Sequence, residues 1–186
     1  PIWSEGPLKV HDVGGVRFQC AFIHPFVQSR QLERYPLVVW FCGLGPSGLD
    51  GIGVELSLLS SASPKPFVLV APIRSSRTWW VLDDSRPPLG CVFGFLLEGE
   101  VEKYCHWIKI LAGSSGIDPN SVSLFGGSAG AYAVSEFLAF GTCNLHCVCL
   151  AGLHGHGRPD DVGLSAECRN RLGAVSYTHL TLPTTG

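Results

Sequence analysis

An α/β fold, with a mostly parallel sheet and helices on both faces, is predicted by three observations in this sequence. Leu37-Val38-Val39-Trp40-Phe41-Cys42 and Phe67-Val68-Leu69-Val70 are continuous apolar runs, the pattern of strands covered on both sides. Segments with helical periodicity alternate with such runs, as a parallel sheet requires. A third buried run, Ser121 to Phe125, passes through Gly126-Gly127-Ser128-Ala129-Gly130 into the apolar stretch Ala131 to Phe140, which reads as a helix.

The elements follow in order. Leu8 to Asp12 and Val16 to Ile23 flank Gly14-Gly15 and read as a β-hairpin. Gln28 to Tyr35 is a polar connector, and Pro36 opens the first fully buried strand. Gly43 to Gly48 is a tight glycine loop. Asp50 to Ser60, apolar at Ile52, Leu56 and Leu59, predicts a helix capped by Asp50. Pro64-Lys65-Pro66 ends it, and the strand Phe67 to Val70 follows. Arg74 to Leu89 reads as a long loop containing Thr78-Trp79-Trp80. Leu97, Val101, Tyr104, Ile108 and Leu111 mark one face of a helix, with Glu98, Glu102 and Lys109 off it. Ile117-Asp118-Pro119-Asn120 predicts a turn before the Ser121 to Phe125 strand, and Cys147 to Leu153 predicts one more strand.

Strand, G-x-S-x-G, helix is the context of a nucleophile elbow. Such a turn strains the serine backbone so that its hydroxyl stands clear of the sheet. The residues two before and two after must be tiny, because strand and helix backbones pass close together. Gly126 and Gly130 meet that need. The N–H of Ala129, at the positive end of the helix dipole, can then meet a developing oxyanion. The competing reading is a glycine-rich turn in which Ser128 merely caps the helix.

The 186 residues suit one domain with a real core, and the net charge of −2 offers no electrostatic footprint for nucleic acid. No apolar stretch reaches the ~18 residues of a membrane span. The chain begins at Pro1 and has no methionine, as expected of a piece of a longer protein. A leader could precede it, so secreted and cytoplasmic locations are both compatible. The eight cysteines match neither a disulfide framework nor a zinc pattern. Cys143, His146, Cys147 and Cys149 suggest a ligand cluster, but Cys147 and Cys149 lie two apart in an apolar run. They are therefore expected on one face of a buried strand, as small apolar residues, with no metal.

Val175 to Thr184 resembles one reading frame of the transposon-end adapter used in preparing sequencing libraries. It carries three threonines and no burial period. Residues 175–186 are thus expected to be a non-native tail, with residues 1–174 forming a partial domain.

Four landmarks give the chain a resemblance to the α/β-hydrolases, nearest the branch of phospholipase/carboxylesterase-like proteins and secreted peptidases. They are Tyr35 to Gly45, similar to "yPLVVxLHGxG"; Phe67 to Pro72 followed by Thr78-Trp79-Trp80; Gly116 to Val122; and the Gly126 to Gly130 segment. Together they span roughly Val16 to Leu153. The resemblance implies a serine hydrolase acting on carboxylic esters, thioesters or peptides through an acyl-enzyme on Ser128, with no cofactor. It implies Leu44 as the second oxyanion N–H, between Gly43 and Gly45. Cys42 stands where the family usually has a histidine that buttresses this loop, and Ala129 replaces a larger or more polar residue. Trp79 and Trp80 would form a substrate wall or simply pack.

A serine nucleophile needs a histidine base and an orienting acid, in the order Ser, Asp or Glu, His in this family. After Ser128 stand Glu136, His146, His154, His156, Asp160, Asp161, Glu167 and, in the suspect tail, His179. Glu136 lies on the helix behind the serine. His154 follows the next strand at the edge where site loops gather, but no acid lies between that strand and it. The family normally has two more strands beyond this point, carrying the acid and base on their loops, so this chain is expected to lack both and to be inactive or nearly so. The alternative is a non-catalytic hydrolase-fold binding protein.

Overall fold

The computed structural model describes residues 9–24, 33–43, 48–52, 56–73, 80–82, 91–93, 100–127, 129–140 and 142–151. Four strands open the chain: β1 (Val10–Val13), β2 (Val16–Ile23), β3 (Tyr35–Phe41) and β4 (Phe67–Pro72). A short hairpin of β5 (Trp80–Leu82) and β6 (Cys91–Phe93) stands apart in its own two-stranded sheet. Then come β7 (Ile117–Gly127) and β8 (Cys147–Ala151). The helices are α1 (Leu56–Ala62), α2 (Glu100–Ala112) and α3 (Ala129–Phe140), with a 3-10 helix at Gly48–Ile52.

The main sheet runs β1-β2-β4-β3-β7-β8. β1 and β2, then β2 and β4, pair antiparallel; β4, β3, β7 and β8 are mutually parallel. The hairpin turn at Gly14-Gly15 has φ of 59° and 75°, the left-handed conformation that a two-residue turn between twisted strands requires. Gly15→Ala is expected to cost about 1 kcal/mol, read as a lower urea midpoint at unchanged slope.

Alternation along the strands builds a core on each face. Leu37, Val39, Phe41, Val68, Val70, Val122 and Leu124 point toward α2 and α3, meeting Tyr104, Trp107, Ile108, Val134 and Phe137. On the other face Ala21, Leu69 and Ala71, with Val38 and Trp40, meet Leu49, Leu56 and Leu59. Trp107 is fully buried at the centre of the first layer, its ring 5.3 Å from Phe18 and 6.0 Å from Tyr104. Trp107→Ala should therefore cost about 3–5 kcal/mol in a denaturation experiment.

Several expectations are corrected. The single helix from Asp50 to Ser60 is instead a 3-10 helix followed by α1, so Asp50 lies inside the first piece rather than capping a longer one. Gly51 and Gly53 fall in this stretch, and glycine is a poor helix former. The long loop from Arg74 to Leu89 contains β5, whose Trp80 pairs with Phe93. The turn at Ile117 to Asn120 is absorbed into β7 as an irregularity. Tyr35 pairs with Ile117 and Leu37 with Val122, five steps on β7 against two on β3. The Asn120 N–H donates to Asp118 Oδ1 at 3.0 Å, an Asx turn within the strand, and Pro119 is tolerated where the ladder is broken.

Cys147 and Cys149 do share a face of β8, but both are exposed. That face lies on the side where α1 covers β2, and the described residues do not reach over β8 there. Among the described residues no helix is long and apolar enough to cross a membrane.

Candidate active site

β3 and β7 are neighbours, yet the chain leaves them in opposite directions, to β4 on one side and β8 on the other. In open α/β sheets the crevice beyond the carboxyl ends of two such strands is where ligands bind. The two loops singled out in the sequence begin there. β3 ends at Phe41, paired with Gly126, and Cys42 and Gly43 lead from it toward Leu44. β7 ends at Gly127 and α3 starts at Ala129, so a single residue, Ser128, joins strand to helix. Ser128, Leu44, Gly45 and Trp79 lie outside the described residues, and Trp80 lies in β5.

The glycines show how tightly these segments pass. A Cβ on Gly126 would lie 2.5 Å from the Gly130 carbonyl oxygen and 2.7 Å from Ala131 Cα. On Gly130 it would fall against the Phe41 carbonyl, 2.5 Å from its carbon and 2.7 Å from the Cys42 carbonyl oxygen. Real side chains do not occupy such positions, so α3 can rest on the end of β3 only through glycine. Gly127 is different: its Cβ would meet only Trp40 Cζ2, at 3.6 Å. Trp40 in turn stacks on Phe125, centroids 4.0 Å apart and planes 8° from parallel.

Cys42 is buried at 1% exposure in the core beneath this junction. A residue not foreseen holds the far end of the β3 loop. Gln19 is the buried polar side chain of β2, and its Oε1 accepts the Leu49 N–H at 2.9 Å. The same oxygen occupies the place of a Cβ on Gly48, whose φ is +67°. One polar residue inside the run Phe18-Gln19-Cys20-Ala21 was the available signal. Gln19→Leu would leave the Leu49 N–H buried without its acceptor and is expected to cost about 1–3 kcal/mol by urea denaturation.

Two of the later acid and base candidates are described. The His146 N–H donates to the Val122 carbonyl at 2.8 Å, where β8 begins. That is five residues before Gly127, about 16 Å along the strand and at the opposite sheet edge. Glu136 lies seven residues into α3, about 10 Å from its start. Neither backbone position borders the Gly127–Ala129 turn. β8 ends at Ala151, which pairs with Gly127. His154, His156, Asp160, Asp161, Glu167 and His179 lie outside the described residues.

The sequence matches no protein-family model and no curated protein. Its fold does match solved structures. LpqC, a poly(3-hydroxybutyrate) depolymerase from Bordetella parapertussis, is similar with a TM-score of 0.52 over 88% of this chain and 60% of that one, at 18% identity. The fold is that of the α/β-hydrolases. An α/β-hydrolase, MGS-M1 from a Medee basin deep-sea metagenome library, has a TM-score of 0.45, 15% identity and coverage of 75% and 55%. Acetyl xylan esterase from Aspergillus awamori has a TM-score of 0.47, 17% identity and coverage of 72% and 47%. The chain therefore spans about half of these α/β-hydrolase-fold proteins' lengths.

Proposed function

We propose that this α/β-hydrolase fold carries a serine hydrolase site for carboxylic esters, thioesters or peptides, with Ser128 as the nucleophile. The observation that carries the reading is the one-residue junction between β7 and α3, packed through Gly126 and Gly130 onto the carbonyl end of β3. A serine at such a junction presents its hydroxyl above the sheet edge.

In the proposed reaction, Ser128 Oγ attacks the substrate carbonyl carbon while a histidine takes its proton. The tetrahedral oxyanion is held by the N–H of Ala129, the first residue of the 12-residue α3, and by that of Leu44. The carbon–heteroatom bond then breaks, the protonated leaving group departs, and water hydrolyses the acyl-enzyme. Trp79 and Trp80 would wall the substrate side. The chemistry calls for a small-molecule acyl substrate and for no metal or organic cofactor.

The acid and base are not assigned to any of the 186 residues. The far-edge position of His146 supports the expectation that this chain alone turns over activated esters at background rate. Turnover of p-nitrophenyl acetate by the purified chain, lost in Ser128→Ala, would contradict that expectation while supporting Ser128 itself.

A further inference from the structure

Four ligating side chains lie close together in the sequence between Cys143 and Cys149, and the fold divides them. Cys143 packs on the α2 core, where its thiol donates to the Cys105 carbonyl at 3.5 Å. His146 precedes β8, with its N–H held by the Val122 carbonyl. Cys147 and Cys149 remain as a pair. Val148 between them packs against the α2 and α3 core, so strand alternation turns both thiols to the other face of β8. Both are exposed. The expectation of no metal rests on their being buried, and their exposure removes that ground.

The sheet register shows what borders the pair. Cys147 is paired with Ser123 and Cys149 with Phe125, whose ring stacks on Trp40 one strand further in. These neighbours are a hydroxyl and two aromatic rings, with no carboxylate among them. Residues two apart on a strand have Cα atoms ~6.6 Å apart and side chains side by side. A disulfide needs sulfurs ~2.0 Å apart and Cα atoms usually within ~6.8 Å, so the pair sits at the outer limit for closing on itself. Two metal–thiolate bonds of ~2.3 Å let the sulfurs stay up to ~4.6 Å apart. A bridging ion therefore fits an undistorted β8 better than a disulfide does. Among the described residues no group of three or more His, Cys, Asp and Glu gathers to hold a metal. A closed zinc site takes four ligands, whereas thiolates by themselves select soft ions, Cu(I) above all.

We propose that Cys147 and Cys149 form a two-thiolate binding site for a soft cation, Cu(I). Each sulfur bonds to the ion as its proton leaves to solvent. Two S–H bonds break, two Cu–S bonds form, and no electron moves between metal and sulfur. The ion lies on the open face of β8, next to the position of Phe125. The site uses none of the residues of the proposed hydrolysis, so it stands independently of that reading.

The test titrates the reduced 186-residue chain, without oxygen, into Cu(I) held by bicinchoninate, whose coloured complex reports the ion it keeps. The chain is expected to withdraw one Cu(I). The second thiolate binds as an intramolecular event, so Cys147→Ser and Cys149→Ser should each weaken binding about 10²- to 10⁴-fold, with little further loss in the double variant. Cys143→Ser should bind as the unvaried chain does. Both substituted positions of the pair are exposed, so these variants should fold, and circular dichroism checks that they do. Unchanged binding in either single variant, or a loss of only half in each, would overturn the proposal. Displacement of the ion by an equal amount of Zn(II) would overturn it as well.

Discussion

Gly130→Ala is expected to unfold the protein. The added Cβ would fall on the Phe41 carbonyl and 2.7 Å from the Cys42 carbonyl oxygen, and both are backbone. Neither can yield cheaply, because Phe41 ends β3, a central strand held by β4 on one side and β7 on the other. Overfilling a core that can relax costs about 1–3 kcal/mol. Where backbone must move, about 4 kcal/mol or more is expected, a large share of the ~5–15 kcal/mol that holds a typical domain. Gly126→Ala should behave alike, since its Cβ would meet the Gly130 and Ala131 backbone at 2.5–2.7 Å. Gly127→Ala is the control: the nearest atom is a Trp40 ring carbon at 3.6 Å, an ordinary contact. Thermal melts followed by circular dichroism should show loss of the transition in the first two and near-native melting in the third. Equal tolerance at all three positions would contradict the close approach on which the proposed site depends.

Ser128→Ala carries the second large effect, and it separates the two readings of the turn. If Ser128 is the nucleophile, the active protein should lose about 10⁴- to 10⁶-fold in kcat, with little change in KM or in stability. If Ser128 only caps α3, the same change should cost about 1 kcal/mol of stability and leave any turnover intact. Activity and urea denaturation measured on one pair of proteins decide between them.

The parts of the fold written in single-residue chemistry were legible in the sequence. Gly14-Gly15 marked the hairpin turn, and both glycines adopt positive φ. The runs at Leu37 and Phe67 marked strands covered on both faces, because their inward and outward residues alike meet helices. Tyr104, Ile108 and Leu111 marked the buried face of α2, though the stripe is wider and includes Cys105 and Trp107. Long-range partners were not legible. β5 exists by pairing with β6, a partner that local pattern does not announce. The Asp118-Pro119-Asn120 segment has turn chemistry, and β3 nevertheless draws Ile117 and Val122 into one strand around it. The exposure of Cys147 and Cys149 follows from which face of β8 is covered, a property of the layers rather than of the run. For the candidate site, Gly126 and Gly130 could be read from spacing, whereas the role of Gln19 depends on Leu49, thirty residues away.

The central claim, that Ser128 is an activated nucleophile, is tested most directly by covalent capture. The protein translated from its complete gene would be treated with a fluorophosphonate, digested, and mapped by mass spectrometry. The account predicts one adduct, on Ser128, absent from Ser128→Ala. A folded protein that shows no adduct on Ser128 would contradict it.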